Sequence, residues 1–420
     1  MKNSATLAVQ LAEAARLVAR VAAGASLADE FVGGKLSQPA LLDLTHGTLR
    51  RYGRVQAIVA ALSRRRRPDT LLEALLWCAL YALESERHGA HTVVDEAVQA
   101  CGVLERWNAK GYVNALLRGF LRERVGIEAR LAREPEAAHQ HPQWWIELVR
   151  AAYARDWESV LAAGNAHPPM CLRVNRRRAD IVEYQARLAD AGMPARRVGP
   201  QALLLEKPVS VDKLAGFAAG EVSVQDAGAQ RAAQCIDLQD GQRVLDACAA
   251  PGGKSAHLLE LARVELMALD IDAARAARIA PNLERLGLAA QVRVGDAAQA
   301  ESWWDGRPFD RILADVPCTA SGIVRRHPDV KWLRRPADVG AFAARQKAIV
   351  AALWRLLAPG GKLLYATCSV FPQENDAVVG DFLAGEAGAR RVAIPDGGRT
   401  QWLPGAEHDG FYYALIAKAA

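Results

Sequence analysis

The sequence predicts a multidomain chain: an all-α N-terminal domain, a small α+β middle domain, and a C-terminal α/β domain built on a doubly wound, Rossmann-like parallel sheet. Three observations predict it. Apolar residues recur at three- and four-residue spacing from residue 5 to about 134, without strand-like alternation. From Leu238 onward, strand-like and helix-like stretches alternate. The chemically distinctive residues of that last part fall at the ends of its predicted strands. The expected boundaries are 1–135, 140–230 and 236–420.

The N-terminal helices are expected over Ala5–Ala23, Ala40–Tyr52, Val55–Leu62, Thr70–Leu83, Val93–Ala100 and Gly111–Leu121, punctuated by Pro68-Asp69 and Gly89-Ala90. The domain ends near Pro135. In the middle domain His141-Pro142 opens a helix carrying Leu148, Val149 and Tyr153. Strand-like stretches Met170–Val174, Ala202–Leu205 and Val222–Gln225 follow. In the C-terminal domain the expected strands are Arg243–Asp246, Glu265–Asp270, Gln291–Val294, Asp310–Asp315 and Lys362–Thr367. The expected helices are Ser255–Ala262, Ala273–Leu286, Val339–Leu357 and Glu374–Leu383. Arg391–Ile394 and Gly410–Ala417 are expected to supply an antiparallel edge.

Composition narrows the function classes. At 420 residues, 51% hydrophobic and 24% charged, the chain has the balance of a soluble globular protein. No apolar run reaches the roughly 18 residues of a membrane helix, so no membrane partner is expected. The N-terminus reads as an amphipathic helix rather than a signal peptide, which predicts a cytoplasmic protein. Seven scattered cysteines with no CxxC pair indicate neither a disulfide framework nor a metal site. Nothing points to an oligomer, and a monomer is expected. A net charge of +6 favours a polyanionic partner, more so because the basic residues cluster. The clusters are Arg64–Arg67, Arg176-Arg177-Arg178, Arg325-Arg326 and Lys331 to Arg335.

The turn Asp246-Ala-Cys-Ala-Ala-Pro-Gly-Gly-Lys254 follows an apolar strand and opens a helix. Gly252 and Gly253 let the backbone approach a ligand there, although the frame is neither GxGxxG nor a P-loop. Asp270 ends the next strand, where an acid accepts from ribose hydroxyls; Asp272 reads as a helix cap. Asp296 ends the third strand, at the height of an adenine edge. Cys318 follows the fourth strand in Asp315-Val-Pro-Cys318, and Cys368 ends another in Thr367-Cys368-Ser369. Both contexts single these two thiols out for chemistry. Cys78, Cys101, Cys171 and Cys235 read as packing, and Cys248 as a wall of the turn.

Asp246–Lys254, Asp315–Cys318 and Tyr365–Ser369 together resemble the signature motifs of the Nop/Sun family of RNA (cytosine-5) methyltransferases. Gly322-Ile-Val-Arg-Arg-His-Pro-Asp-Val-Lys-Trp332, Leu403–Glu407 and Asp409–Tyr413 are similar to that family's bacterial members. Thr92–Val98 and Gly111–Arg118 resemble a NusB-type RNA-binding domain. The resemblance implies S-adenosyl-L-methionine on Cys248, Ala249, Ala250, Pro251, Gly252, Gly253 and Lys254, with Asp270 at the ribose, Asp296 near the adenine and Asp315 lining the pocket. It further implies that Cys368 attacks C6 of a cytosine in small-subunit ribosomal RNA, that Asp315 assists, and that Cys318 helps resolve the adduct. Thiolate addition turns C5 into an enamine-like nucleophile, which splits one hard step into two. The target base must leave its stack. Arg176, Arg177, Arg178, Arg325, Arg326 and Lys331 are the expected RNA contacts. Two alternatives stay open: a DNA cytosine-5 methyltransferase, which would attack with Cys318, and an RNA-binding assembly factor with a relic catalytic domain. Ser321, where Thr is frequent, and Tyr412-Tyr413, where Phe often comes first, depart from the family pattern without touching the chemistry.

Overall fold

A computed structural model describes residues 5–27, 39–63, 68–394 and 398–420. The basic run Arg64–Arg67 lies outside them. The chain folds into two compact units, Met1–Ala166 with Val324–Pro336, and His167–Ile323 with Ala337–Ala420. Among the described residues no helix is long and apolar enough to cross a membrane.

The first unit is helical. Its central helix, Thr70–Glu84, buries nearly every side chain from Leu72 to Leu83, as a helix apolar on all sides must. Asp69 caps it by accepting from the amides of Leu71 and Leu72. Leu7–Ala22, Pro39–Arg50, Tyr52–Leu62, Ala90–Val103 and Lys110–Leu131 surround it. The last runs well past Leu121 as a largely exposed, charged helix that still buries Ile127 and Leu131. Three further helices, Pro135–His139, Gln143–Ala152 and Trp157–Asn165, complete the unit.

The second unit holds two sheets. Strands β1 (Cys171–Val174), β2 (Ala195–Arg197), β3 (Ala202–Leu205) and β4 (Val222–Val224) pair antiparallel in the order β2-β3-β1-β4. The helix Ile181–Asp190, capped by Asp180, joins β1 to β2. That helix and β2 are absent from the sequence-based expectation. β2 is three residues long and largely exposed, so it carries no apolar alternation to read.

The larger sheet contains β5 (Arg243–Asp246), β6 (Glu265–Asp270), β7 (Gln291–Val294), β8 (Phe309–Asp315), β9 (Leu357–Thr367), β10 (Ala389–Val392), β11 (Gln401–Trp402) and β12 (Phe411–Lys418). Its order is β10-β12-β9-β8-β5-β6-β7, with β11 on β12. The five strands from β9 to β7 are parallel, and β12 runs antiparallel to both β9 and β10. β12 is therefore interior, not an edge: Phe411 to Ala417 are all buried, the pattern of a strand covered on both faces. The single helix expected over Ala273–Leu286 is two, Ala273–Ala276 and Ile279–Arg285. Pro281 lacks the N–H that a continuous helix would need there.

The chain leaves β5 for β6 on one side and takes up β8 on the other. This reversal opens a crevice at the strands' carboxyl ends.

Candidate active site

Four acids stand at or just past the carboxyl ends of four adjacent strands: Asp246 on β5, Asp270 on β6, Asp296 two residues beyond β7, and Asp315 on β8. Gly252, at φ +94°, opens the helix Gly253–Leu261 in a left-handed conformation that favours glycine. Asp270 braces this turn from below. Its carboxylate accepts from the amides of Ala250 and Asp272 at 3.0 and 3.1 Å. Asp272 caps the following helix through Arg275 N. Asp296 pairs with Arg345 at 2.5 Å, and that hydrogen bond holds its carboxyl below the ordinary range. Asp246 is fully buried. One of its oxygens takes a 2.6 Å bond from the Ser255 hydroxyl, while Oδ1 has no partner. Burial, opposed by Ser255, lifts this carboxyl to about 7.

S-adenosylmethionine, the methyl donor of the resembled family, fits this donor set. Its ammonium and sulfonium are cations and its ribose presents two hydroxyls, all matched by acids along the crevice. The turn from Cys248 to Lys254 offers backbone for close approach. Cys248 is half-buried, and burial followed by the nearby Asp315 and Asp246 charges pushes its thiol up, so it forms an inert wall.

The two distinctive cysteines meet. Cys318 follows β8 and Cys368 follows β9, parallel neighbours in the sheet, and their sulfurs lie 3.4 Å apart. The backbone closes around them: Gly322 N donates to Cys368 O at 2.8 Å, and Gly410 N to Gly322 O at 2.8 Å. A Cβ on Gly322 would lie 2.4 Å from Gly410 O, so no larger residue fits. The hydrogen bond with Cys368 and burial both push the Cys318 thiol well up, which keeps it protonated beside its neighbour. Lys254 bonds Asp315 at 2.5 Å. Burial works against the Lys254 ammonium, but Asp315 and the charge of Cys368 outweigh it and raise its pKa.

One residue of this neighbourhood was invisible to motif reading. Glu374, fully buried, accepts from Thr319 and Ser369, the residues that follow the two cysteines. Its only sequence signal is an acid six residues after Cys368, inside the polar run Gln373-Glu374-Asn375-Asp376.

The expected RNA contacts divide. Arg176, Arg177 and Arg178 line one surface hollow with Gln201. Arg177 donates to the carbonyls of Glu260 and Ala262, and Arg178 to that of Ala219. Arg176 is exposed and makes no hydrogen bond among the described residues. Arg326 is half-buried. Lys331 is fully buried within the first unit, where it donates to Arg50 O, Gln140 O and Asn165 Oδ1 at 3.1, 2.9 and 2.7 Å. Arg325 is only 2% exposed. Burial removes Lys331 and Arg325 from contact with RNA and corrects that expectation. Among the described residues no group of three or more His, Cys, Asp or Glu is placed to hold a metal.

Comparison with known proteins agrees with this architecture. Residues 17–122 match the NusB family, 141–212 the ferredoxin-like domain of RsmF/B-like methyltransferases, and 233–417 the 16S rRNA methyltransferase RsmB/F. The ribosomal RNA small subunit methyltransferase B of Pseudomonas syringae is 43% identical over 396 residues, covering 90% of this chain and 88% of that protein. The protein of the same name from Vibrio cholerae is 42% identical over 385 residues, covering 90% and 89%. The crystal structure of PH0851 covers 100% of both chains at a TM-score of 0.80 and 24% identity. That of NSun6 from Pyrococcus horikoshii, with SFG, covers 66% of this chain and 98% of its own at 0.58 and 18%. The N-terminal domain is thus NusB-like, the middle domain ferredoxin-like and the C-terminal domain a methyltransferase that uses S-adenosylmethionine. The chain belongs to the ribosomal RNA small subunit methyltransferase B family.

Proposed function

We propose that the protein methylates C5 of a cytosine in small-subunit ribosomal RNA, in the cytoplasm, through a covalent bond between Cys368 and C6 of the base. The observation that carries this reading is the pair of sulfurs 3.4 Å apart, beside the Lys254–Asp315 pair and the acid-lined crevice. Two thiols, one acid and one cation are what the reaction needs.

The geometry supports the following roles. Lys254 and the S–H of Cys318 stand beside Cys368, whose thiolate is the attacking form. Cys368 attacks C6 while Asp315 holds a proton at cytosine N3, so the electron pair moves to C5. S-adenosylmethionine bound in the crevice would supply the electrophilic methyl group, with its neutral thioether as the leaving group. Once Cys368 is a thioether it no longer bears charge or accepts strongly from Cys318. The influence that kept Cys318 protonated is gone, and Cys318 is released to ionise and take the C5 proton. The C5–H electron pair then re-forms the C5–C6 double bond and expels Cys368 as a thiolate, and the N3 proton returns to Asp315. Arg176 and Arg178 on the ferredoxin-like domain, and Arg326, are proposed backbone contacts; the NusB-like domain selects the RNA.

The test incubates wild type, Cys318→Ala and Cys368→Ala with S-adenosylmethionine and unmodified small-subunit rRNA. Wild type is expected to form 5-methylcytosine. Cys318→Ala should accumulate a protein–RNA adduct that survives a denaturing gel, and Cys368→Ala should form none. An adduct that needs Cys318 instead would reverse the roles.

A further inference from the structure

We propose that Glu374 is a positioning residue that sets the separation of the two catalytic sulfurs by clamping the residue after each cysteine; the catalytic meaning of that separation rests on the mechanism above. Its carboxylate accepts from Thr319 N at 2.8 Å and Thr319 Oγ1 at 2.5 Å on the Cys318 side. On the Cys368 side it accepts from Ser369 Oγ at 2.6 Å. Gln346 Nε2 adds a fourth bond at 3.1 Å, and the same amide donates to Pro317 O, one residue before Cys318.

Asn375 extends the clamp: it accepts from Thr367 Oγ1 at 2.6 Å and donates to Ser369 O at 2.9 Å, so Thr367-Cys368-Ser369 is held from both sides. Ser321 Oγ, in the Cys318 loop, meets Ser369 Oγ at 2.9 Å and accepts from Val370 N. The buried acid thus joins the two loops in addition to the direct bonds Ser321–Ser369, Val370–Ser321 and Gly322–Cys368.

Among the described residues no basic side chain pairs with Glu374. Burial raises its carboxyl, and the hydrogen bonds from Ser369 and Thr319 oppose that rise. A carboxyl fully removed from water is retained only where its hydrogen bonds replace the lost solvation. Four donors do so here, and three of them sit on the residues next to the two thiols. Both oxygens of this acid are taken up by donors on Thr319, Ser369 and Gln346, away from water. It therefore acts through the loops and not on the base.

The full-length protein tests this with Glu374→Ala, Glu374→Gln and Ser369→Ala. The first readout is the glutathione equilibrium of the pair, in which two thiols and one glutathione disulfide give the Cys318–Cys368 disulfide and two glutathiones, quantified by peptide mass mapping. It measures the effective concentration of one sulfur at the other and needs neither RNA nor methyl donor. Glu374→Ala is expected to lower it at least tenfold. Ser369→Ala, which cuts one arm, should lower it less. Glu374→Gln should stay within about threefold of wild type, since its carbonyl still accepts and its amide donates to hydroxyls that can rotate.

The second readout is rRNA methylation. Glu374→Ala should lose about 100-fold in kcat, the scale of a 1 Å misplacement, with KM for S-adenosylmethionine unchanged and recovery in Glu374→Gln. An unchanged thiol equilibrium in Glu374→Ala overturns the proposal. Equal damage from Gln and Ala overturns it as well, because the charge and not the clamp would then matter. If wild type proves inactive on rRNA, the mechanism fails while the thiol equilibrium still decides the clamp.

Discussion

At the residue scale the crevice is governed by an excess of acid. Four carboxylates share one end of the sheet, and three of them already have a cation: Asp315 has Lys254, Asp296 has Arg345, and Asp270 has Arg275 at 3.9 Å. Asp246 has none, and burial lifts it to about 7 from an ordinary 3.8. Between those values the folded state holds a proton that the unfolded chain gives up. This group therefore contributes stability that is complete below about pH 4, falls as pH rises, and is gone above about 7. The ceiling is on the order of 4 kcal/mol. Cations in the crevice reverse the preference by favouring the carboxylate. Binding of S-adenosylmethionine should consequently weaken below pH 7, by up to about tenfold per pH unit for a single proton. Calorimetric titrations between about pH 5.5 and 8 should show that slope in the wild type and not in Asp246→Asn. A slope that survives in Asp246→Asn would assign the proton to another group.

At the element scale, one strand of the ferredoxin-like sheet reaches into the turn that carries Lys254. Arg173 on β1 forms a bidentate pair with Glu260 at 2.8 and 2.9 Å, donates to Gly253 O at 2.8 Å, and also bonds Gln225. Both side chains of the pair are 1% exposed. Removing one partner of such a pair leaves a buried charge uncompensated and costs about 3–5 kcal/mol. Glu260→Ala should therefore shift the chemical denaturation midpoint of this unit strongly. A double variant, Arg173→Met with Glu260→Met, should recover much of the loss, since an apolar pair of similar volume is often neutral. Additive losses in the double variant would show that the two residues act separately. This link was not legible in the sequence, because Arg173 and Glu260 lie 87 positions apart inside elements each correctly read alone. The five parallel strands were legible because each ends in or near a distinctive residue, four as mainly apolar or buried runs and β7, Gln291–Val294, through its alternating valines. The two cysteines were legible through their Asp-Val-Pro and Thr-Ser contexts. Pairing between elements remote in sequence was not, and neither were the burial of Lys331 and the clamp at Glu374, which depend on it.

At the scale of the whole molecule, the fold ignores the order of the sequence at one place. Val324–Pro336 lies in sequence between Cys318 and the helix Pro336–Arg355, yet it belongs to the N-terminal helical unit. It is built in by specific contacts. Trp332 donates its indole N–H to Leu49 O at 2.9 Å and packs edge-on against Tyr52, with ring centres 5.0 Å apart. Asp329 accepts from Leu27 N at 3.0 Å. Lys331 spends its ammonium on three acceptors from Arg50, Gln140 and Asn165. Burial pulls its pKa well below the ordinary lysine range, and the nearby Arg50 charge adds to the fall. The N-terminal helices therefore depend on thirteen residues that a linear reading assigns to the catalytic domain. Trp332→Ala removes an aromatic body, a hydrogen bond and the edge contact, and should cost the helical unit about 2–4 kcal/mol. Hydrogen exchange on the full-length protein should then show faster exchange over Pro39–Arg50 and Tyr52–Leu62. Protection of β5 to β9 and the affinity for S-adenosylmethionine should stay at wild-type values. Methylation of rRNA should fall through a raised KM for RNA, because the unit proposed to select it is loosened. Equal loss of protection in both units would mean that they unfold as one, and the segment would then be an ordinary part of a single cooperative core.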